Sequence, residues 1–142
     1  MNKMNVLFLC TGNSCRSQMA EGFAKKMYGD RINFYSAGTE KHGMNTRAIK
    51  VMAEAGVDIS NHYSKTVDEI KDVVFDYVYT VCGHANENCP YFSGKAKILH
   101  VGFEDPPKLA LGLTDEEEIL DKYRKVRNEI KKFIENLEER AV

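Results

Sequence analysis

The chain contains no tryptophan and only three prolines in 142 residues, and it has no low-complexity stretch, linker or internal repeat. Charge of either sign is nearly balanced, 20 basic against 21 acidic side chains, for a formal net charge of −1. No strong field therefore draws it to nucleic acid or to an anionic membrane surface. The longest apolar run near the start, Val6 to Cys10, is far too short for a signal peptide or a membrane span, so a cytoplasmic location is expected. Cysteine is scarce too. Four thiols in a reducing compartment read as catalytic or metal-binding groups rather than structural bridges. What is present is the balance of an ordinary globule: 43% hydrophobic and 29% charged residues, over a length that suits one domain, 1–142, with a single core.

The most informative segment is Cys10-Thr11-Gly12-Asn13-Ser14-Cys15-Arg16, directly after the apolar run Val6-Leu7-Phe8-Leu9. A buried strand delivers a thiol to a tight loop, and the loop opens into a helical pattern near Arg16. Gly12 and Asn13 tolerate positive φ, which lets successive backbone N–H groups turn toward one anion. The helix N-terminus adds partial positive charge, and Arg16 adds a full charge with a planar fork of donors. These features favour the Cys10 thiolate, and Ser17 can donate a further hydrogen bond to it. The expected substrate-binding set is thus Thr11, Gly12, Asn13, Ser14, Cys15, Arg16 and Ser17, around Cys10 as nucleophile. Cys15 suits packing more than redox work, and His42, His62 and His100 read as ordinary loop or packing residues.

Hydrophobic periodicity places a strand over 4–10, a helix over 16–28 ending at Gly29, and a strand from Asn33 to Ala37. Asn45 caps a helix running to about Ala55, followed by Gly56. A short helix fits Val67 to Lys71, and the β-branched and aromatic run Val73 to Val81 reads as a strand ending at Cys82. One or two helical turns fit residues 83–89, and Lys97 to Val101 makes a fourth strand. From Thr114 to Glu139 the residues Leu120, Tyr123, Val126, Ile130, Phe133 and Leu137 mark one long amphipathic helix, with Thr114 and Glu117 spaced as a capping box. Alternating strands and helices imply an α/β fold, three-layer α/β/α around a mainly parallel four-stranded sheet. Such sheets bind ligands at the carboxyl ends of their strands. Cys10, Cys82 and Asp105 all fall near that edge.

The run Leu9 to Ser17 resembles the phosphate-binding loop of low-molecular-weight protein tyrosine phosphatases and their arsenate reductase relatives. Ser36-Ala37-Gly38 and Asp58-Ile59-Ser60-Asn61-His62 are similar to the same superfamily, and Asp105-Pro106 matches its late Asp-Pro step. The segment Thr80-Val81-Cys82-Gly83-His84-Ala85-Asn86-Glu87-Asn88-Cys89-Pro90 resembles the thioredoxin-coupled arsenate reductases in particular. Nearly the whole chain, from about Val6 to the final helix, is covered. The chain departs from the pattern at Val101-Gly102-Phe103, where that group often has Trp-Gly-Phe. It departs again at Tyr63 and Lys65, where potassium-binding members carry Thr and Asp beside residues matching Asn13 and Ser36. A potassium site is not expected; the Lys65 ammonium takes the cation's place.

The resemblance implies an arsenate reductase of the kind that serves arsenical resistance, with Cys10, Arg16, Cys82, Cys89 and Asp105 as its catalytic set. Cys10 attacks arsenate, Asp105 protonates the departing oxygen, and Arg16 with the loop amides holds the rest. Cys82 then attacks the Cys10 sulfur, and Cys89 takes over the disulfide for thioredoxin to reduce. No tightly bound cofactor and no metal are implied. Were 82–89 helical throughout, the two Cα atoms would lie roughly 10 Å apart along the axis, whereas a disulfide needs about 7 Å or less. An order change across 82–92 on oxidation is therefore expected. Two other readings stay open. One is a phosphatase that uses Cys10, Arg16 and Asp105 and leaves the later cysteines idle. The other is a zinc or arsenite sensor built on Cys82, His84 and Cys89, although C-x-H-x4-C lacks the paired spacing of structural zinc sites.

Overall fold

The computed structural model describes residues 3–82 and 96–137; the helical turns expected at 83–89, His84, Cys89 and the order change across 82–92 lie outside the described residues. Among the described residues, four strands form one sheet: β1 (Met4–Cys10), β2 (Ile32–Gly38), β3 (Tyr77–Thr80) and β4 (Lys97–His100), in spatial order β2-β1-β3-β4. Every pairing is parallel, so the expected mainly parallel sheet is in fact wholly so among the described residues. The apolar run explains the central place of β1. Val6, Leu7, Phe8 and Leu9 are all fully buried, as a strand covered on both faces requires.

Helices α1 (Arg16–Tyr28), α2 (Thr46–Glu54), α3 (Pro106–Leu109) and α4 (Glu116–Glu135) flank the sheet. The stripe from Leu120 to Leu137 is buried as its spacing requires, and α4 packs on α1 and α2. Polar ties fix those contacts. The Tyr28 hydroxyl donates to the Ile134 and Glu135 carbonyls at 3.0 Å each, and Asn45 Nδ2 donates to the Tyr123 hydroxyl at 3.0 Å. Asn45 also caps α2 as expected, its side-chain oxygen accepting from the Arg47 and Ala48 amides.

Three boundaries differ from the sequence reading. The strand expected from Val73 begins only at Tyr77. The Val73 amide closes a turn on the Ile70 carbonyl (3.1 Å) after a 3₁₀ turn at Val67–Ile70, and Val74 is 65% exposed. β-Branched composition there is overridden by the turn. The long helix is capped by Asp115, whose carboxylate accepts from the Glu118 amide at 3.1 Å, not by a Thr114–Glu117 box. The capping box lies instead at Thr66 and Glu69. Finally, Asp105-Pro106-Pro107 opens the short helix α3, with proline in its first turn where a missing N–H leaves nothing unsatisfied.

Candidate active site

β1 ends at Cys10 and α1 begins at Arg16, so the loop between them sits at the carboxyl edge of the sheet. The five carbonyls from Cys10 to Ser14 are all tied to surrounding chain. Cys10 O accepts from the Thr39 amide, Thr11 O from Glu40, Gly12 O from His42 and Ser14 O from Asn45, at 2.9–3.2 Å. Asn13 O accepts from Ser64 Oγ at 2.7 Å and from Gln18 Nε2 at 3.1 Å. In a trans peptide the N–H of the following residue points opposite its carbonyl, and no peptide here is cis. The amides of Thr11, Gly12, Asn13, Ser14 and Cys15 consequently face away from those tethers, toward the inside of the loop. Inward-facing amides at a helix N-terminus are the kind of arrangement that favours an anion.

Asn13 holds the turn. Its φ is +48°, it is fully buried, and its side-chain oxygen accepts from the Lys65 amide and Gln18 Nε2 at 2.9 Å each. Gly12 has no such φ, contrary to expectation. Glycine is needed there for space, because a Cβ would lie 2.3 Å from Nδ1 of His42.

Cys10 is 3% exposed, and its sulfur lies 2.8 Å from Ser17 Oγ. Asn13 Nδ2 donates to that same oxygen at 2.8 Å, which leaves the serine hydrogen free to point at sulfur. The Ser17 and Asn13 amides also bond to the sulfur. The expectation of a thiol that ionises more readily than usual is nevertheless not met. Burial pushes the Cys10 thiol up, and the nearby Cys82 adds to this, while the Ser17 and Asn13 donors only partly oppose it. Arg16 is braced by neighbours other than the sulfur: Nη1 donates to the Phe103 carbonyl at 2.9 Å, and Nη2 lies 3.7 Å from the Asp105 carboxylate.

A cavity of about 330 Å³ opens over the loop, lined by Cys10, Thr11, Gly12, Ser14, Cys15 and Arg16 together with His42, Asp105 and Pro107. Cys10 and Arg16 are thus brought together with Asp105 from a distant part of the chain. Cys82 joins them. Val81 donates to the Leu9 carbonyl at 2.8 Å, which sets Cys82 beside the end of β1, where its sulfur lies 3.2 Å from Thr11 Oγ1. Burial pushes the Cys15 thiol far up, which suits the packing role expected of it. His42 reads in the sequence as an ordinary loop residue, yet it forms part of this wall; nothing in its local spacing signals that.

Behind the loop, Gln18 links Asn13 to His62, whose Nδ1 lies 2.9 Å from Gln18 Oε1. Burial pushes the His62 imidazole below its ordinary value. Lys65 is nearly buried, with Nζ 3.3 Å from the Tyr63 carbonyl and 4.7 Å from the centre of the Tyr63 ring. Glu21, absent from the sequence reading, lies in the same pocket. It accepts from Ser36 Oγ and pairs with Lys25 Nζ at 2.5 Å. Two ammonium groups beside one carboxylate do not suit a further monovalent cation. Among the described residues no group of three His, Cys, Asp or Glu side chains is placed to hold a metal ion, and no helix is long and apolar enough to cross a membrane.

Residues 5–142 match the family model for low molecular weight phosphotyrosine protein phosphatases. The chain is 50% identical over 139 residues to the arsenate reductase of Halalkalibacterium halodurans, covering 98% of each chain. Its structure superposes on an arsenate reductase in the phosphate-binding state with a TM-score of 0.77 at 31% identity, over 98% of this chain and 99% of that one. It is also similar to a low molecular weight protein tyrosine phosphatase from T. tengcongensis (TM-score 0.73, 30% identity, 97% and 99% coverage).

Proposed function

The chain belongs to the low molecular weight phosphotyrosine protein phosphatase family, and from that premise we propose that it reduces arsenate to arsenite through a Cys10–Cys82–Cys89 relay drained by thioredoxin. Arsenate is a tetrahedral oxyanion, so a cradle of five amides and a guanidinium accepts it as it would phosphate. The Cys10 thiolate attacks arsenic while one As–O bond breaks, and Asp105 passes its proton to the departing oxygen, which leaves as water. Arg16 and the loop amides hold the three remaining oxygens and the charge that develops on them. A phosphatase would hydrolyse its adduct at this point. Here the Cys82 thiolate attacks the Cys10 sulfur, the S–As bond breaks, and its electron pair stays on arsenic, which departs as arsenite. A Cys10–Cys82 disulfide remains. Cys89 then attacks the Cys82 sulfur, frees the Cys10 thiolate and stores the oxidation as a Cys82–Cys89 disulfide. Two electrons from the thioredoxin dithiol reopen it.

The observation that carries this reading is the second thiol at the loop: Cys82 is 3% exposed and is hydrogen-bonded to Thr11, the residue next to the nucleophile. Phosphate-ester hydrolysis needs no thiol there. Arsenate-dependent NADPH oxidation, coupled through thioredoxin and its reductase, is the test. The wild type turns over, whereas Cys82→Ser and Cys89→Ser stop after about one equivalent or less. If both variants keep full turnover, the relay is wrong; if the wild type shows no arsenate-dependent turnover but hydrolyses phosphate esters through Cys10, the phosphatase reading replaces the reductase.

A further inference from the structure

We propose that His42, oriented by Glu40, is the outer binding and selectivity residue of the oxyanion site, admitting a bare four-oxygen anion and turning away phosphate esters. The inference rests on the arsenate reading of the site and adds a residue that the relay does not use.

His42 is fixed to the loop at two levels. Its backbone amide donates to the Gly12 carbonyl at 3.0 Å, and its ring lies against Gly12 so closely that a Cβ on that residue would meet Nδ1 at 2.3 Å and Cγ at 2.6 Å. At the far edge of the ring, Nε2 lies 2.8 Å from Glu40 Oε2. A carboxylate only accepts, so Nε2 carries the hydrogen and Nδ1 is the nitrogen left for the loop side. Glu40 is itself tied down, because its amide donates to the Thr11 carbonyl at 2.9 Å. Two residues that hold loop carbonyls thus also build a side-chain pair over the same loop. The ring is half-exposed and lines the same cavity as Cys10 and Asp105.

An anion whose inner oxygens fill the cradle presents its last oxygen to this outer wall. On arsenate that oxygen is bare or carries one proton, and Nδ1 can donate to it as imidazolium or accept from it as neutral imidazole. On a phosphate ester the same oxygen carries carbon in place of a proton, so it cannot donate and accepts only weakly, and its substituent needs the space the ring occupies. The attraction to one substrate and the obstruction of the other come from a single side chain.

Steady-state kinetics on His42→Ala, His42→Gln and Glu40→Gln test this. For His42→Ala the arsenate KM rises by about tenfold, the size of one hydrogen bond to a charged group, with a smaller change in kcat. Activity on an aryl phosphate rises several-fold in the same variant, since the ring no longer blocks the mouth. His42→Gln, which keeps a polar group of similar reach, recovers part of the arsenate KM, and Glu40→Gln falls between the wild type and His42→Ala. An unchanged arsenate KM with no gain on the aryl phosphate overturns the proposal. Should His42→Ala fail to fold, the imidazole nitrogens of otherwise native Cys10→Ser protein are followed by NMR while inorganic phosphate is added. A saturable Nδ1 shift at His42 supports the contact, and its absence refutes it. Failure of the arsenate reading itself looks different: wild-type protein then shows no arsenate-dependent turnover, whatever the His42 signal does.

Discussion

Replacing Ser17 with alanine isolates the hydrogen bond on which the reactive sulfur most depends. The Ser17 hydroxyl lies 2.8 Å from Cys10 Sγ, and the Asn13 side-chain amide occupies its oxygen from the other side at 2.8 Å, so the hydroxyl hydrogen has one productive target. A hydrogen bond to a charged group contributes about 1.5–3 kcal/mol, and its loss moves the thiol by about one to two pKa units. Cys10 is already pushed up by burial, so the shift continues in the same direction. Below the pKa the thiolate fraction falls about ten- to a hundredfold, but the more basic thiolate is also the better nucleophile. With a Brønsted slope near 0.4–0.5, about half of the loss is recovered on a logarithmic scale, leaving a net decrease of about three- to fifteenfold.

Alkylation by iodoacetamide, followed by mass spectrometry across a pH series in a Cys82→Ser/Cys89→Ser background, reads this directly. Fragmentation of the labelled peptide separates Cys10 from Cys15, whose thiol burial also pushes up. The alkylation rate rises with pH in both proteins, with its midpoint farther up in Ser17→Ala. A midpoint that stays in place or moves down refutes the donor chain from Asn13 through Ser17 to sulfur.

Two further outcomes follow from the buried groups behind the loop. His62 is pushed below its ordinary value by burial, so the unfolded chain takes up the proton first; stability is full above about pH 6.5 and falls as the pH drops toward the folded value. The urea midpoint of the wild type falls between about pH 7 and about pH 5, and His62→Gln loses less over that interval; equal losses would discount the imidazole. With the Lys65 ammonium on the Tyr63 carbonyl and Lys25 paired to Glu21, arsenate turnover is the same in potassium as in sodium or choline salts, and a several-fold stimulation by potassium would show the opposite.

The elements legible in the sequence are those whose cause is local. The unbroken apolar run makes β1 a central strand, the three- and four-residue steps from Leu120 to Leu137 mark the buried face of α4, and Asn45 caps α2 through its own side chain. Where a distant partner or a competing local signal decides, the reading slips. Val73 and Val74 have strand composition but follow a turn closed on Ile70, and Thr114–Glu117 has the spacing of a capping box while Asp115 does the capping. His42 is the clearest case: its neighbours in sequence say nothing of the wall it forms over Gly12. The Cys10 thiol fails for another reason. Donors can be counted along the loop, but the desolvation that outweighs them is the sum of everything packed around the sulfur.

The same distinction applies to the loop itself. Cys10 and Arg16 supply a thiol and a charge, yet nothing within those seven residues obliges the amides to turn inward. That direction is imposed by donors at Thr39, Glu40, His42, Asn45 and Ser64, each holding one carbonyl away from the interior. The segment can come this close only because residue 38 has no side chain; a Cβ there would lie 2.4 Å from the Glu40 carbonyl oxygen, 2.5 Å from that of Thr11 and 2.9 Å from the Asn13 amide. The direction of the loop amides is therefore a property of the end of β2 and the turn after it as much as of the cysteine loop. A C-x5-R segment without a scaffold of this kind has the residues for the chemistry but not the field.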